Sequence, residues 1–292
     1  MELEQAYRDY KPLLFSIAYK MLGSVSDAED IVQDCFVTAR QVQWDHVGNE
    51  KSYLCKTVTN RCLDHLKSAR KKRELYIGPW LPEPLVQDAS EDPQEHLILE
   101  DTITYAFLIM LETLTPLERA VFVLRESFGY EYEEIAGMVG RTEVACRKIF
   151  SRVKRKVQQA EPPSSLPSLE ETEHIVKRFI HAASTGNMEE LIAMMTEDII
   201  LVSDGGGKVH AAVRPIVSRA HVIAFLKGVV SKLLPESVIH TAVINGQAGI
   251  VLSGGDYQNT VLSYELDESR KLKRIFVVSN PDKLKHVAQG LQ

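Results

Sequence analysis

The sequence predicts a multidomain protein in which two all-α helical segments are followed by an α+β segment. Three observations favour this: helical apolar spacing in residues 1–77 and 94–160, strand-like runs after residue 198, and two proline-rich stretches between the parts. Each proline removes a helical hydrogen bond and biases its predecessor towards extended backbone, so helices should end there. We therefore expect linkers at 78–93 and 161–168, and an α+β domain at 169–292.

The composition is that of an ordinary globular protein, with 45% hydrophobic and 25% charged residues in a chain of 292. No apolar run approaches the ~20 residues that cross a bilayer, and the N-terminus lacks the pattern of a signal peptide. We therefore expect a cytoplasmic protein without membrane contact. The four cysteines show no CxxC spacing, which favours buried thiols over disulfides or a metal site. No cofactor is expected.

The net charge of −6 hides local blocks of opposite sign. Residues 61–73 carry six Lys or Arg against one Asp, and residues 141–157 carry seven against one Glu. Residues 81–101 carry seven acids and no Lys or Arg. This pattern argues against a uniformly basic nucleic-acid binder, but leaves two basic blocks as candidate DNA contacts.

The first helical segment contains two predicted amphipathic helices. Ser26 and Glu29 form a capping-box pattern, and apolar residues follow at helical spacing up to Ala39. The opposite face of this helix is acidic and suits either solvent or a basic partner. A second helix is predicted over residues 52–73, and its polar face becomes basic towards its end. Taken alone, both charged faces are typical of solvated helix surfaces.

The second helical segment predicts a helix-turn-helix unit. Thr115, Pro116 and Glu118 form the N-cap, first-turn proline and reciprocal cap of one helix. A short helix over residues 131–138, a tight turn and a helix capped by Thr142 follow. In such a unit the last helix enters the major groove and its basic residues neutralise phosphates. A structural hairpin with a charged exterior is the alternative.

The C-terminal segment predicts two helices and a sheet. Helical spacing covers residues 170–185 and 188–195, and six strand-like runs follow: IILVSD, KVHAAVRP, VIHTAVING, AGIVLSG, NTVLSYEL and LKRIFVVS. DGGGK, at residues 204–208, separates the first two runs, and a hairpin turn explains its glycines locally. DGGGK is not a P-loop, because the GK[ST] ending is absent.

The two helical segments together resemble the extracytoplasmic-function sigma factors. The stretch LLFSIAYKMLGSVSDAEDIVQDCF, with its DAEDIVQD core, is similar to region 2 of that family. The stretch TLTPLERAVFVLRESFGYEYEEIAGMVGRTEVACRKIFSRVKRKV is similar to region 4. The resemblance covers about half of the chain. It implies a protein that binds core RNA polymerase and directs promoter-specific transcription initiation.

The resemblance also assigns partners to the charged helix faces. The implied residues for binding the coiled-coil of the largest polymerase subunit are Asp27, Asp30, Gln33 and Asp34. Those for the melted minus-10 element of the promoter are Asn60, Arg61, Asp64, His65, Lys67, Ser68 and Arg70. Those for the double-stranded minus-35 element are Thr142, Glu143, Arg147, Lys148, Ser151, Arg152, Lys154 and Arg155. Many members have Trp where Tyr53 stands, so details of strand opening are not transferred.

The C-terminal extension resembles the SnoaL-like cone fold, a curved sheet enclosing a pocket, which one subgroup of these sigma factors carries. The motifs WLPEPL, DGGGK and NPDKL agree with that subgroup. A stiff spacer, a hairpin turn and a strand stop are their local alternatives. We expect the motifs to form a contact that regulates the sigma portion in cis. Its predicted residues are Trp80, Leu81, Pro82, Glu83, Pro84, Asp204, Gly205, Gly206, Gly207, Lys208, Asn280, Pro281, Asp282, Lys283 and Leu284.

Two other functions compete with regulation. Related cone folds include polyketide cyclases and ketosteroid isomerases, and the candidate proton-transfer groups here are Asp198, Asp204, His210, Tyr257 and Tyr264. No spacing identifies a pair, and fold alone is poor evidence for activity, so we predict a non-enzymatic protein whose pocket better suits a small-molecule ligand. A transcription factor acting without polymerase is disfavoured by the DAEDIVQD helix.

Overall fold

The computed structural model describes residues 3–44, 47–73, 75–87, 104–159, 168–233, 237–254 and 259–287. The chain forms two compact units. One holds Met1–Glu74, Asp92–Ile103 and Phe107–Pro162, and the other holds Leu75–Glu91, Thr104–Ala106 and Pro163–Gln292. Both helical segments therefore share one unit, and the WLPEPL segment belongs to the other. The five-part division of the chain stays a prediction, since residues 88–103 and 160–167, which hold much of both linkers, lie outside the described residues.

Seven helices are described up to the end of the helical unit. They are α1 (Leu3–Leu22), α2 (Val25–Ala39), α3 (Glu50–Arg73), α4 (Tyr105–Glu112), α5 (Pro116–Glu126), α6 (Tyr132–Val139) and α7 (Glu143–Gln159). The first three pack on one another around fully buried side chains that include Leu14, Met21 and Leu54. Burying these apolar stripes leaves the charged helix faces on the outside.

Local capping chemistry sets where these helices begin. The capping box of Thr115 and Glu118 is confirmed, with the Thr115 N–H donating to the Glu118 carboxylate at 3.0 Å. Thr142 caps α7 as predicted, accepting from Ala145 N at 3.2 Å. The predicted cap of α2 was wrong, because Ser24, rather than Ser26, accepts from the backbone three residues later at 3.1 Å. That helix consequently begins at Val25.

The two helical segments pack on each other inside their unit. α5 contacts α1 and α3, and α6 contacts α3. The Tyr130 hydroxyl, between α5 and α6, donates to Cys55 Sγ on α3 at 3.1 Å. The buried Arg119 guanidinium on α5 donates to Met21 O at 2.7 Å and to the Glu112 carboxylate at 2.5 Å. Glu112 compensates this buried charge, because losing that carboxylate would leave the guanidinium without a counter-charge.

The second unit is built on one described sheet of seven strands. They are β1 (Val86–Gln87), β2 (Met195–Asp204), β3 (Ile216–Val217), β4 (Val238–Ile244), β5 (Gln247–Ser253), β6 (Thr260–Leu266) and β7 (Leu272–Val278). Their order is β1-β4-β5-β6-β7-β2-β3, and each neighbouring pair is antiparallel except β2 and β7. The parallel pair brings the ends of β2 and β7 to the same edge of the sheet.

Three helices complete this unit: α8 (Leu169–Thr185), α9 (Met188–Ala193) and α10 (Arg219–Leu233). α8 packs on β5 and α10 packs on β2, around a core that includes Val176, Leu226 and Ile275. The predicted fold class is therefore confirmed, with helical segments followed by an α+β sheet domain. Within the described residues, no helix has the length and apolar character needed to span a bilayer.

One sequence prediction for this unit was wrong, and two of its elements were not predicted. Residues 208–215, predicted as a strand, form a loop, because the N–H groups of Lys208 and Val209 both turn back to Gly205 O at 3.0 and 3.3 Å. The helix α10 was not predicted, although Val222 and Leu226 bury one of its faces at helical spacing. The short strand β1, from the predicted linker, was also missed.

Candidate polymerase, DNA and linker-binding surfaces

The acidic face of α2 meets the basic face of α3. Of the four predicted polymerase-binding residues, three are exposed and the last is half-buried: Asp30, Gln33, Asp34 and Asp27. Asp34 lies 3.3 Å from Arg61, and Asp27 lies 3.3 Å from His65. Residues predicted to bind polymerase and residues predicted to bind DNA are thus direct neighbours. Because the side chains of both pairs are partly exposed to solvent, each pair contributes at most about 1 kcal/mol to stability. The residues of either helix can therefore give up these partners for others.

The predicted minus-10 residues lie along one surface of α3. Among them Asn60, Arg61 and His65 are half-buried, and Asp64, Lys67 and Ser68 are exposed. Arg61 also donates to Thr38 Oγ1 at 2.6 Å, and Lys67 donates to Asp64 at 2.8 Å. The side chain of Arg70 lies outside the described residues. The described part of this surface carries both signs of charge, and Arg61 and Lys67 already have carboxylate or hydroxyl acceptors.

All eight predicted minus-35 residues are exposed on α7 or at its N-cap: Thr142, Glu143, Arg147, Lys148, Ser151, Arg152, Lys154 and Arg155. Arg147 pairs with Glu143 and lies 4.9 Å from the ring centre of Tyr132, and Arg152 reaches Glu118 at 2.8 Å. Although partial burial opposes it, hydrogen bonds from Thr115 and Arg152 lower the pKa of Glu118. Arg147 and Arg152 are therefore already paired with the protein's own carboxylates.

In the second unit, Asp204 at the end of β2 is a buried carboxylate, only 1% exposed. Its Oδ1 accepts from the Tyr76 hydroxyl at 2.6 Å and from Gly206 N at 3.0 Å. Its Oδ2 accepts from Leu81 N and from the Lys283 ammonium, both at 2.8 Å. Four donors use the full accepting capacity of a carboxylate, so its burial is compensated. Two of those donors belong to the segment between the helical regions.

Lys283, from NPDKL, joins the same carboxylate to the WLPEPL segment. Its side chain is 8% exposed, and its ammonium also donates to Leu81 O. It lies 4.0 Å from the ring centre of Trp80 and 5.0 Å from that of Tyr76, where aromatic faces replace water around the cation. Burial first, and then the Asp204 carboxylate, raise the pKa of the Tyr76 hydroxyl, which therefore stays protonated and donates.

The glycines of DGGGK allow close approach to this cluster. Gly206 has a φ of 61°, and a Cβ there would lie 2.3 Å from the side-chain amide of Asn280. Gly207 has a φ of 69°, and a Cβ there would lie 2.9 Å from the Ile77 side chain. A tight hairpin turn was the wrong explanation for this motif, because a loop over residues 208–215 separates it from β3, the next strand. Tight packing against NPDKL and the linker accounts for the glycines.

NPDKL forms a short 3-10 turn at Pro281–Lys283, capped by the side chain of Asn280. The Asn280 amide also donates to the Tyr76 hydroxyl at 2.8 Å. Outside this buried cluster, Lys208 and Asp282 pair at 2.5 Å, and both side chains are half exposed. The Lys208 hydrogen bond lowers the pKa of Asp282. DGGGK and NPDKL therefore share one buried and one exposed ion pair.

Asn245 holds the end of the WLPEPL segment, and sequence reasoning missed it. Its side-chain oxygen accepts from Leu85 N at 3.0 Å, and its own N–H donates to Leu85 O at 2.9 Å. β1 continues this pairing along β4. Asn245–Gly246 is a recognisable hairpin signal, with Asn245 at a φ of 47°. That local signal does not indicate that Asn245 also binds Leu85.

Two further residues bind the proline carbonyls of WLPEPL and were also missed. The Tyr105 hydroxyl donates to Pro82 O at 2.6 Å, and its ring packs edge-on against Phe276 at 5.7 Å. His286 Nε2 lies 2.8 Å from Pro84 O. The four residues from Leu81 to Pro84 are all buried, including Glu83. We call the contact of residues 76–85 with Asp204, Asn245, Asn280 and Lys283 the linker clamp.

The structure separates the four candidate proton-transfer residues that it describes. Asp198 is exposed, Asp204 is occupied by the linker clamp, and the Tyr264 hydroxyl donates to Thr172 O at 3.0 Å. Tyr257 lies outside the described residues. Only His210 of the described candidates lines the large cavity of this unit. Within the described ranges, no cluster of three His, Cys, Asp or Glu side chains could hold a metal ion.

Comparisons with known proteins identify both helical segments. Family models of sigma-70 region 2 and sigma-70 region 4 match residues 6–72 and 106–157. The ECF RNA polymerase sigma factor SigJ of Mycobacterium tuberculosis is 33% identical over 251 residues, which are 82% of this chain and 78% of the relative. The probable ECF sigma factor SigI of that species is 34% identical over 194 residues, which are 65% of this chain and 66% of the relative.

A solved structure extends the likeness to the C-terminal unit. The crystal structure of Mycobacterium tuberculosis SigJ matches with a TM-score of 0.78 at 27% sequence identity. The match covers 96% of this chain and 98% of that chain. The α+β domain is therefore shared with this relative, along with the helical regions.

Proposed function

This chain belongs to the extracytoplasmic-function RNA polymerase sigma factors, which direct promoter-specific transcription initiation, and from this premise we propose how its two units divide that function. Sigma factors of this family bind core RNA polymerase and promoter DNA. We propose that the acidic face of α2 binds the polymerase, that α3 contacts the minus-10 element and that α7 reads the minus-35 element. The second unit then regulates the first through the linker clamp.

The linker clamp is the observation that carries the regulatory proposal. Arg73 ends α3 and Tyr105 begins α4, so about 32 residues connect the two sigma regions and could span about 105 Å when extended. In the clamp, however, Tyr105 is bound to Pro82. The chain that freely connects the two sigma regions is then the stretch from Arg73 to Pro82, about nine residues, which spans about 30 Å when extended. A shorter tether raises the effective concentration of one region at the other.

The arrangement that this short tether favours is the packed one. Tyr130 and Cys55, from the two sigma regions, are 3.1 Å apart. The promoter elements, by contrast, are about 25 base pairs apart, or about 85 Å at about 3.4 Å per base pair. Reading both elements requires the regions to separate, so the closed clamp should lower activity. Promoter-specific transcription by variants whose clamp cannot close is the test of this proposal.

We also propose that the protein acts in the cytoplasm and without catalysis of its own. Support comes from the dispersal of the described proton-transfer candidates, among which Asp204 is saturated by four donors. General acid–base catalysis requires a side chain within hydrogen-bond reach of its substrate. A steady conversion of any added cyclase or isomerase substrate by the purified protein would contradict this proposal.

Exchanging both Asp30 and Asp34 for Lys is expected to weaken binding to core polymerase at least about 10-fold, because like charges then face each other across the interface. Both side chains are exposed, so the helix should remain folded. Co-purification with core polymerase and circular dichroism measure the two effects. A double exchange of the exposed Asp198 and Glu189 for Lys makes the same charge change elsewhere and should leave binding intact. Unchanged binding by the first variant would contradict the assignment of α2.

Replacing Arg147 with Ala is expected to reduce binding to the minus-35 sequence by about 1 to 3 kcal/mol if this residue reads a base. The guanidinium is exposed near the start of α7, where base-reading residues lie in helix-turn-helix units. Competition binding between specific and scrambled promoter duplexes gives the discrimination. The matched control is Arg178→Ala, which removes another exposed Arg that pairs with a carboxylate. An equal loss on both duplexes would reassign Arg147 to phosphate contact.

A further inference from the structure

The second unit contains a cavity of about 600 Å³ that the linker clamp does not use. This volume lies in the range of small-molecule sites, which bury most of a ligand's surface. Its wall comes from α8, α10, strands β2 and β4 to β7, and the loop that follows DGGGK. The apolar side chains that line it include Phe179, Phe225, Leu252, Leu262 and Val277. A preformed apolar space of this size is suited to a ligand of drug-like dimensions.

The polar side chains of the cavity are few, three hydroxyls and one imidazole. They are Ser203, His210, Thr260 and Ser279. Thr260 and Ser279 hydrogen-bond to each other at 3.1 Å and are buried. Among the described lining residues there is no Asp, Glu, Lys or Arg. A charged ligand would lose its hydration without a counter-charge, whereas a hydroxyl or carbonyl group can share these hydrogen bonds.

The cavity wall is continuous with the linker clamp. Ser203 and Ser279 line the cavity, and the next residues along the chain are the clamp residues Asp204 and Asn280. Ser279 N also donates to Asp204 O at 2.9 Å. On the other side of DGGGK, the loop from His210 lines the cavity. The backbone that positions the clamp is therefore the backbone that shapes the cavity.

We propose that this cavity binds an uncharged, mainly apolar small molecule with one or two hydrogen-bonding groups, and that binding stabilises the closed linker clamp. The cavity is formed while the clamp is closed, and a ligand stabilises the state whose site fits it. The ligand then acts as a co-inhibitor. The inhibitory effect of the ligand rests on the proposed regulatory function. Binding of the ligand to the cavity and stabilisation of the closed linker clamp are independent of it.

The probe is prodan, an uncharged naphthalene with one ketone, titrated into the full-length protein and followed by its emission shift. Saturable binding with one site is expected. Gly228 lines the cavity, and a Cβ there would meet nothing within 4 Å, so Gly228→Trp should fold and fill the space. It should weaken binding at least about 10-fold. Ala220→Trp, at an exposed position of the same helix that does not line the cavity, is the control and should bind normally.

A double variant and a second probe test the site without relying on the Gly228→Trp variant being folded. Thr260→Val with Ser279→Ala keeps the cavity shape, removes the buried hydroxyls and should also weaken prodan binding. Anilinonaphthalene sulfonate, a naphthalene of similar size with a negative charge, should bind much more weakly than prodan. Equal binding of both probes would overturn the claim of an uncharged ligand, and undiminished prodan binding by Gly228→Trp would overturn the site.

Coupling to the linker clamp is measured by hydrogen exchange of residues 76–85. The amides of Leu81 and Leu85 are bonded to Asp204 and Asn245 and exchange when the clamp opens. If prodan binds only the closed state, a free concentration ten times its Kd slows this exchange about 11-fold. The Gly228→Trp variant should show no slowing. Bound prodan without any change in exchange would overturn the coupling and leave the sigma-factor function intact.

Discussion

Replacing Asp204 with Ala is expected to lower the free energy of unfolding of the second unit by about 3 to 5 kcal/mol. The Lys283 ammonium would remain in a site where its side chain is 8% exposed, without its carboxylate partner. Tyr76 and Leu81 would also lose their acceptor. The chain has two tryptophans, Trp44 and Trp80, so a Trp44→Phe background makes Trp80 emission a reporter of this unit during urea unfolding.

The exposed ion pair between Lys208 of DGGGK and Asp282 of NPDKL provides the control. Asp282 and Lys208 are both half exposed, so Asp282→Ala should lower the free energy of unfolding by at most about 1 kcal/mol. The two substitutions remove the same side chain from an ion pair with lysine and differ in burial. Similar losses for both variants would show that Lys283 finds another partner, which contradicts the central place of Asp204 in the linker clamp.

Exchanging Gly206 for Val is expected to open the linker clamp and raise promoter-specific transcription about 5- to 150-fold, the range of typical allosteric couplings. The new Cβ would meet the Asn280 amide at 2.3 Å, so this side chain must leave the position from which it donates to Tyr76. Releasing the linker lengthens the tether between the sigma regions and lowers the population of the packed arrangement. Transcription in vitro with core polymerase, at equal concentrations of folded sigma factor, measures the change.

Gly186→Val separates the clash from backbone strain. Gly186 follows α8 with a φ of 69°, close to that of Gly206, but a Cβ there would meet nothing within 4 Å. Both variants therefore carry the strain of a β-branched residue at positive φ, and only one disturbs the linker clamp. Transcription by Gly186→Val should match that of the intact protein. Equal activity of all three proteins, or a fall for Gly206→Val, would contradict inhibition by the closed clamp.

The helical regions could be predicted from the sequence because the signals that define a helix act between residues close together in the chain. The capping box of Thr115 and Glu118 acts over three residues, and apolar spacing decides which helix face is buried. The start of α2 was predicted at the wrong residue, since Ser24 and Ser26 both fit a capping pattern. Only the folded structure shows that Ser24 is the cap. Likewise, nothing in the local pattern of residues 208–215 separates a strand from a loop that lines a cavity.

Only the tertiary structure showed the partners of the three motifs WLPEPL, DGGGK and NPDKL. WLPEPL, DGGGK and NPDKL were recognisable as strings of letters, and their local explanations were a spacer, a turn and a strand stop. Tyr76, Tyr105, Asn245 and His286 carry no motif and were not predicted, yet each binds the linker clamp. The type and order of the segments follow from chemistry between near neighbours in the chain. The clamp joins residues up to 204 positions apart, as in the bond from Asn280 to Tyr76, and only folding of the sheet brings such groups into hydrogen-bonding distance.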